Sequence, residues 1–370
     1  MNVGLLTSQA SMNYGGILQA YALKKFIESM GHECTIINYK PEVHDINKHP
    51  LHYIISRKNG LNKAFFVLLN YSDFKSRKQK FDMFKNDYLL PNPSISINKY
   101  QLESELYKYD IICCGSDQLW NLNQKDNQNK AFMLDFDYSF KSFSYAVSFG
   151  DSIKVCSEKL DDSISLIKKF AGISVRELEG QEYLKSKGIE SVLSVDPTLL
   201  YDSLFWDDLS KLSNKTFLND YIFCYGYENA YQSYEDFIYN TRLIGKKTGL
   251  PVINILMNPS FKQGFTNIYD IGPFDFLNII KNAKLVCTNS YHGTIFSHHF
   301  GTPYCVLYSR EYGLDSRKKT LLNLINQEWR AISDINQFDI NSFFKDSSII
   351  TDKEINLRNE SINYLKRIIN

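Results

Sequence analysis

The sequence predicts an α/β protein built as two Rossmann-like domains that face each other. Its 370 residues exceed one ordinary domain, and a hydrophobic share of 44% can fill two cores. Short apolar runs alternate with amphipathic stretches in two successive series, the pattern of doubly wound parallel sheets. Polar turns follow several of those runs, at the positions where such a fold opens its cleft.

The first domain is expected to span residues 1–200. It opens with an apolar strand at 3–7, the loop SQASMNYGG, and a helix from residue 17 to about 30 in which Leu18, Ala22 and Phe26 recur before Gly31 ends it. The run CTIINY then forms a strand that stops before Pro41, and this strand, helix, strand unit should be parallel and right-handed. Residues 44–100 predict an insertion with helices outside the sheet, in which DFKSRKQKF reads as a solvated charged face. Alternation resumes with IICC after Asp110 and continues with strands at 143–149, 173–175 and 192–195. Helices are expected between them at 158–170 and 178–187.

The second domain, 201–350, repeats the pattern. A strand at 221–227, a helix at about 234–247 and a strand at 251–257 precede the helix FDFLNIIKNA, the strand KLVCT, a helix after His292 and the strand YCVLY. Residues 351–370 predict a terminal helix that packs back near the first domain. Thr351 and Glu354 stand at capping-box spacing, and Ile355, Ile362, Leu365 and Ile369 share one side.

Lys plus Arg number 42 against 41 Asp plus Glu, so no global field draws the chain to nucleic acid and a bound anion must be held locally. The seven cysteines lie mostly in apolar runs without paired metal-ligand spacing, which predicts buried free thiols and no metal site. The start MNVGLLTSQA lacks the basic and long apolar segments of a signal peptide. No run reaches the roughly 20 apolar residues that cross a bilayer, so a reducing cytoplasm is the expected location. HExxH, a GxxxxGK loop and a nucleophile elbow are all missing, which argues against zinc, nucleoside-triphosphatase and serine-nucleophile mechanisms.

Five places carry candidate chemistry. Asn13, Tyr14, Gly15, Gly16 and Gln19 lie between strand and helix, where N-terminal amides could hold an anion or a sugar hydroxyl; a plain turn also explains the glycines. Ser116, Asp117, Gln118 and Trp120 follow IICC, where a carboxylate can act as base and an indole can stack on a sugar, unless Asp117 merely caps and Trp120 fills the core. Ser148 ends the next strand. Arg176 and Glu177 end the one after, and a guanidinium there needs either a carboxylate or an anionic ligand. The sharpest is TNSYHGT, holding Ser290, His292, Gly293 and Thr294, because a helix start offers unpaired N–H groups and its positive end to an anion. His292 there can bond a phosphate and move a proton, whereas His298 and His299 read as structural. Arg310 and Arg317 follow the next strand on the same side.

In order, NYGGILQAYAL, CCGSDQLW, YAVSFG, ISVRE, VDPTLL and TNSYHGTIFSHHFGTPY resemble the polysaccharide pyruvyl transferase family, from residue 2 to about 320. The resemblance implies a glycosyltransferase-B-like fold and transfer of pyruvate from phosphoenolpyruvate to two hydroxyls of one sugar, as a cyclic ketal, in capsule or exopolysaccharide biosynthesis. No cofactor is implied. It puts the donor clamp on Arg176 and His292, and the acceptor or the reacting carbon beside Asp117. Several branches of the family carry arginine where this chain has Ser290, so Arg310, Arg317 or a lysine must supply that contact. The implied acceptor is a sugar of a lipid-linked or other oligosaccharide, met at the inner membrane face through the insertion at 44–100. Two other readings stay open: a nucleotide-sugar glycosyltransferase, for which Glu311 is a weak ribose-binding candidate, and an inactive carbohydrate-binding relative, for which Ser290 is the argument. The pyruvyl transfer reading requires Arg176 and His292 to meet around one small phosphorylated acid in a cationic pocket.

Overall fold

The computed structural model describes residues 1–41, 68–90, 95–217, 220–227, 234–255, 264–337, 339–344 and 350–370. Two six-stranded sheets form its frame, and every pairing in them is parallel. The first sheet contains Asn2–Leu6 (β1), Glu33–Ile36 (β2), Ile111–Asp117 (β3), Lys141–Val147 (β4), Ser174–Val175 (β5) and Val192–Leu193 (β6), in the order β2-β1-β3-β4-β5-β6. The second contains Ile222–Tyr225 (β7), Val252–Asn254 (β8), Phe265–Asn267 (β9), Leu285–Thr288 (β10), Tyr304–Leu307 (β11) and Ala331–Ile332 (β12), in the order β12-β11-β10-β7-β8-β9.

Helices cover both faces, which is why β3, β7, β10 and β11 are buried along their whole length and read as continuous apolar runs. Those of eight residues or more are Tyr14–Ser29 (α1), Tyr71–Phe84 (α2), Lys99–Leu106 (α3), Leu178–Ser186 (α4), Ser203–Ser210 (α5), Tyr234–Thr248 (α6), Pro273–Lys281 (α7), Tyr291–His299 (α8), Ser316–Leu324 (α9) and Asp352–Ile369 (α10). The strand order reverses between β1 and β3 in the first sheet and between β7 and β10 in the second. Loops leaving the carboxyl ends at such a reversal diverge and open a crevice. All seven cysteines are free, and six are buried.

Several elements differ from the sequence expectation. α1 begins at Tyr14, not Ile17, because the Asn13 side chain accepts a hydrogen bond from Gly16 N–H and caps the helix there. α8 begins at Tyr291, so His292 lies inside the first turn. The helix expected at 158–170 is broken into Ser157–Asp161 and Ile164–Ile167, with Ser152–Val155 before them. Ser163 sits at the break and donates to the Lys159 carbonyl, a local bond that competes with helix continuation. β9 and β12 were not expected, since FTN and AI are too short to show a period and gain their place only by pairing at a sheet edge.

The charged stretch in α2 is not a solvated face throughout. Arg77, Phe81 and Phe84 recur on one side and are buried. That side packs between the domains: Arg77 donates to the Ile255 carbonyl, Lys80 pairs with Asp275 at 2.7 Å, and the Phe84 and Phe274 rings meet at 5.3 Å. Residues 42–67 and 91–94 of the insertion, on which the expected membrane contact largely rests, lie outside the described residues. Among those described, no helix is long and apolar enough to cross a membrane.

α10 lies against the first sheet. Tyr364 donates to the Ser144 carbonyl at 2.9 Å, and Ser361 accepts from Val195 N–H at 3.0 Å. Thr351 caps the helix, but the Glu354 side chain turns away to Arg358 and to His298 of α8. His299 makes the neighbouring tie: its Nε2 lies 2.9 Å from the Thr198 carbonyl, so that nitrogen carries the proton. Burial pushes the His299 imidazole down to about 4, below the roughly 6.5 of an unfolded chain. Between those values the unfolded chain takes up the proton first, so this contribution is present above about pH 6.5 and is lost as pH falls toward 4. Denaturant unfolding at pH 7.5 and pH 5 should show stability falling, by on the order of 3 kcal/mol at most from this residue. His299→Gln, which keeps an N–H donor without the titration, should flatten the fall; an unchanged slope removes His299 as its source.

Candidate active site

The two strand-order reversals face each other, and the turns that leave them meet. In the first domain β1 leads through residues 7–13 to the N-terminus of α1, and β3 ends at Asp117. In the second, β7 ends beside Gly226 and Tyr227, and β10 leads to Asn289, Ser290 and α8.

The seam is closed at Gly15. A Cβ on that residue would stand 2.1 Å from His292 Nδ1, so the imidazole rests on the backbone at the start of α1, a contact only glycine permits. Tyr14 anchors the same turn by donating to the Ile271 carbonyl at 2.9 Å and stacking on Phe276 with ring centroids 4.5 Å apart. Asn13 accepts from the Tyr227 hydroxyl at 3.0 Å while capping α1 through Gly16.

Behind this seam lies a buried charge cluster. Arg176 donates from Nη1 to Asp196 at 2.5 Å and from Nη2 to Asp117 at 3.3 Å, and its guanidinium lies 4.4 Å from the Tyr291 ring centroid. His292 Nε2 approaches the same Asp196 oxygen, Oδ2, at 3.3 Å, but without the alignment of a hydrogen bond. The other Asp196 oxygen accepts from Thr198 N–H and hydroxyl at 3.0 and 2.7 Å. Burial alone would raise the Asp196 carboxyl; His292 and Arg176 outweigh it and hold the group well below the usual carboxylate range. Arg176 and His292 therefore do meet, with a carboxylate of the chain between them. The Arg176 side chain is fully buried and already has two acidic partners, so in this arrangement it positions Asp117 and Asp196.

The remaining candidates divide. Gln19 and Ser116 are scaffold: Gln19 donates to Thr7 Oγ1 and the Gly16 carbonyl and accepts from Ser116 N–H, while Ser116 Oγ donates to the Ala146 carbonyl. Their bonds tie α1 to the end of β3, where Asp117 takes a φ of 85°, a backbone state that side-chain-bearing residues rarely hold. Gln118 accepts from Asn121. Trp120 is fully buried, donates to the Phe132 carbonyl and packs on Phe149 and Phe170, so it fills the core and presents no face for sugar stacking. Ser148 accepts from Gly150 N–H. Glu177 accepts from Phe149 N–H at 2.8 Å, and burial raises its carboxyl despite the nearby Arg176.

In the second domain Ser290 caps α8 through Gly293 N–H, and Thr294 donates back to the Ser290 carbonyl. Gly293 is fixed by space, since a Cβ there would meet Thr288 Oγ1 at 2.5 Å. Arg310 does not join the site; it is exposed and pairs with Asp334 at the surface. Arg317 lies nearer, with Nε 3.5 Å from Asp315 Oδ1 at the start of α9, and its charge opposes the rise that burial causes at Glu177 and Tyr291. Four cationic or protonatable groups, Arg176, His292, Arg317 and Lys318, face Asp117, Asp196, Glu177 and Asp315. The pocket is thus balanced, not cationic, since a guanidinium at a buried strand end is stable only beside acids.

Sequence reasoning passed over Asp196 and Lys318. Asp196 sits between an apolar strand and a proline, a carboxylate at a strand end, and that signal was available in VDPTLL. Lys318, in the run SRKK, gave none; it is buried, bonds the Asn289 carbonyl at 2.8 Å and Asp315 at 2.8 Å, and so fixes the turn before His292.

No curated protein matches the sequence at significance. Among solved structures, the UDP-GlcNAc 2-epimerase of Methanocaldococcus jannaschii, in complex with UDP-GlcNAc and UDP, aligns with a TM-score of 0.61 at 12% identity over 100% of this chain and 99% of that one. The UDP-GlcNAc 2-epimerase of Neisseria meningitidis, bound to UDP-GlcNAc, gives 0.58 at 10% identity over 100% of both chains. That of Rickettsia bellii gives 0.56 at 10% identity over 100% of this chain and 95% of that one. At such identities the likeness establishes the fold, two facing Rossmann-like domains of the glycosyltransferase-B-like kind. The model of the family described as polysaccharide pyruvyl transferase matches residues 13–311, a span that holds Asn13, Gly15, Asp117, Arg176, Asp196 and His292, and the chain belongs to that family.

Proposed function

We propose that the chain transfers a pyruvyl group from phosphoenolpyruvate to two hydroxyls of one sugar in a polysaccharide or lipid-linked oligosaccharide, forming a cyclic ketal, as in capsule or exopolysaccharide assembly. One observation supports this reading above others. Arg176 Nε, His292 Nε2 and Arg317 Nε are buried without a directed hydrogen bond, and these groups are gathered where the two domains meet. Buried polar atoms are nearly always satisfied, so donors left open together suit an oxyanion that completes them.

On this reading the donor's phosphate and carboxylate bond to His292, to Arg317 and to the open edge of Arg176. His292 gives a proton to the methylene carbon, which becomes a methyl group, and positive charge develops at C2. Asp196 holds the imidazole in place through the charge it presents to Nε2. One sugar hydroxyl attacks C2 as Asp117 accepts its proton. The C2–O bond to phosphate breaks, a second hydroxyl adds to C2 as its proton passes to the departing phosphate, and the ring closes as a ketal with inorganic phosphate released. Asp117 is held for this by Arg176 on one side and by its own constrained backbone on the other. No step draws on a redox cofactor or a bound metal.

The acceptor is a sugar offered on a lipid carrier or an oligosaccharide, encountered at the inner face of the cytoplasmic membrane. Incubating the protein with phosphoenolpyruvate and candidate oligosaccharides should release phosphate and add the mass of a pyruvyl ketal to one of them. Release of nucleotide from a nucleotide sugar, with phosphoenolpyruvate left intact, would instead make it a glycosyltransferase. His292→Gln should lower turnover by roughly a hundredfold or more in a protein that still folds; retained turnover excludes His292 as the acid. Gly15→Ala should push the imidazole off the α1 turn and depress kcat in a protein that still folds, and a normal rate would show that this contact is dispensable.

A further inference from the structure

The insertion helix α2 brings an unmatched cation to the seam between the domains. Arg77 is 4% exposed, and among the described residues no carboxylate lies within ion-pair distance of it. Its Nη1 donates to the Ile255 carbonyl at 3.2 Å, and its Nε has no partner. The guanidinium stands 5.0 Å from the Tyr14 ring centroid and 5.8 Å from that of Phe81. Ring faces offset only part of the cost of burying a guanidinium, so the charge is left wanting an anion.

Near it stands Tyr227, which leaves β7 at the second strand-order reversal. The residue is 39% exposed, and its hydroxyl bonds Asn13 and Tyr225. Desolvation of the hydroxyl, and then the Asp117 carboxylate, push it up to about 12 against the pull of Tyr225 and Arg77. The link to Arg77 runs through the Tyr14 ring, 5.0 Å from the guanidinium, and the Tyr225 ring, 6.0 Å from that of Tyr14, whose hydroxyl bonds that of Tyr227. The unpartnered atoms assigned above to the donor gather around Arg176, His292 and Arg317, leaving Arg77 to serve another ligand.

We propose that Arg77 and Tyr227 form an oxyanion subsite in the acceptor half of the cleft, which takes a phosphate or carboxylate carried by the sugar. The assignment to the acceptor rests on Asp117 acting as its base, as proposed above. Tyr227, part-exposed where Trp120 is buried, supplies the stacking surface that Trp120 does not. A phosphate joining the sugar to its carrier and a carboxylate on the sugar ring present the same chemistry here, and separate probes tell them apart.

The test is binding, so it needs no turnover. Calorimetry of the full chain, with phosphoenolpyruvate present at saturation, would compare glucose 1-phosphate, glucuronic acid and methyl glucoside. At least one of the anionic sugars should bind more tightly than the neutral glucoside, and which one identifies the anion. Arg77→Gln should weaken that sugar roughly tenfold to a hundredfold and leave methyl glucoside unchanged. Asn13→Asp, which sets a negative charge beside Tyr227, should act in the same direction and covers the case in which loss of Arg77 prevents folding. The subsite is overturned if none of the sugars binds at millimolar concentration, if both variants bind the anionic sugar as the native chain does, or if Arg77→Gln weakens phosphoenolpyruvate alone. A chain that binds anionic sugars through Arg77 yet never consumes phosphoenolpyruvate keeps the subsite and loses the pyruvyl transfer reading.

Discussion

His292 reaches the first domain only because residue 15 has no side chain. Its ring occupies the space a Cβ would need, and the contact brings the start of α8 in the second domain onto the start of α1 in the first. From that approach the rest follows. Asp196 comes within ion-pair distance of His292, Tyr227 comes within bonding distance of Asn13, and Tyr14 stacks on Phe276. Each of these pairs joins the two halves, and each draws on a turn at a strand-order reversal, where side chains from separate sheets are brought face to face.

Bringing the halves together buries charge, and the cluster is arranged to tolerate it. Arg176 would be costly alone at the end of β5, and Asp117 and Asp196 neutralise it. Asp196 in turn is held ionised by the same guanidinium and by His292, with Thr198 satisfying its second oxygen. A group so heavily bonded is a fixed support. The atoms left without a directed hydrogen bond are Arg176 Nε, Arg317 Nε and His292 Nε2. On the proposed function, structural and ligand-binding roles are divided within single side chains.

α2 carries this logic into the insertion. Its sequence alternates charge and aromatic residues in a way that suits water, yet Arg77, Phe81 and Phe84 recur at helical spacing and turn inward between the domains. That spacing was visible in DFKSRKQKFDMF; what was not visible was a second domain for it to pack on. The same lack of a partner hid β9 and β12, whose short segments become strands by pairing and not by composition. Lys318 was hidden for a related reason, since a lysine in a basic run looks solvated until Asp315 and the Asn289 carbonyl are found beside it.

The order of apolar runs, their lengths and the glycine and polar turns between them determined the α/β class, the two series of parallel strands and the addresses of Asn13, Gly15, Asp117, Arg176 and His292 at strand or helix ends. Those properties depend on local pattern, which a single chain displays in full. Only the tertiary structure decided how each polar group is used: Trp120 in the core, Arg310 at the surface, Arg176 shared between two acids, and Asp196 between Arg176 and His292. The partners concerned are brought together by the packing of two separate sheets, and the energy of a buried charge depends on neighbours that sequence distance does not specify.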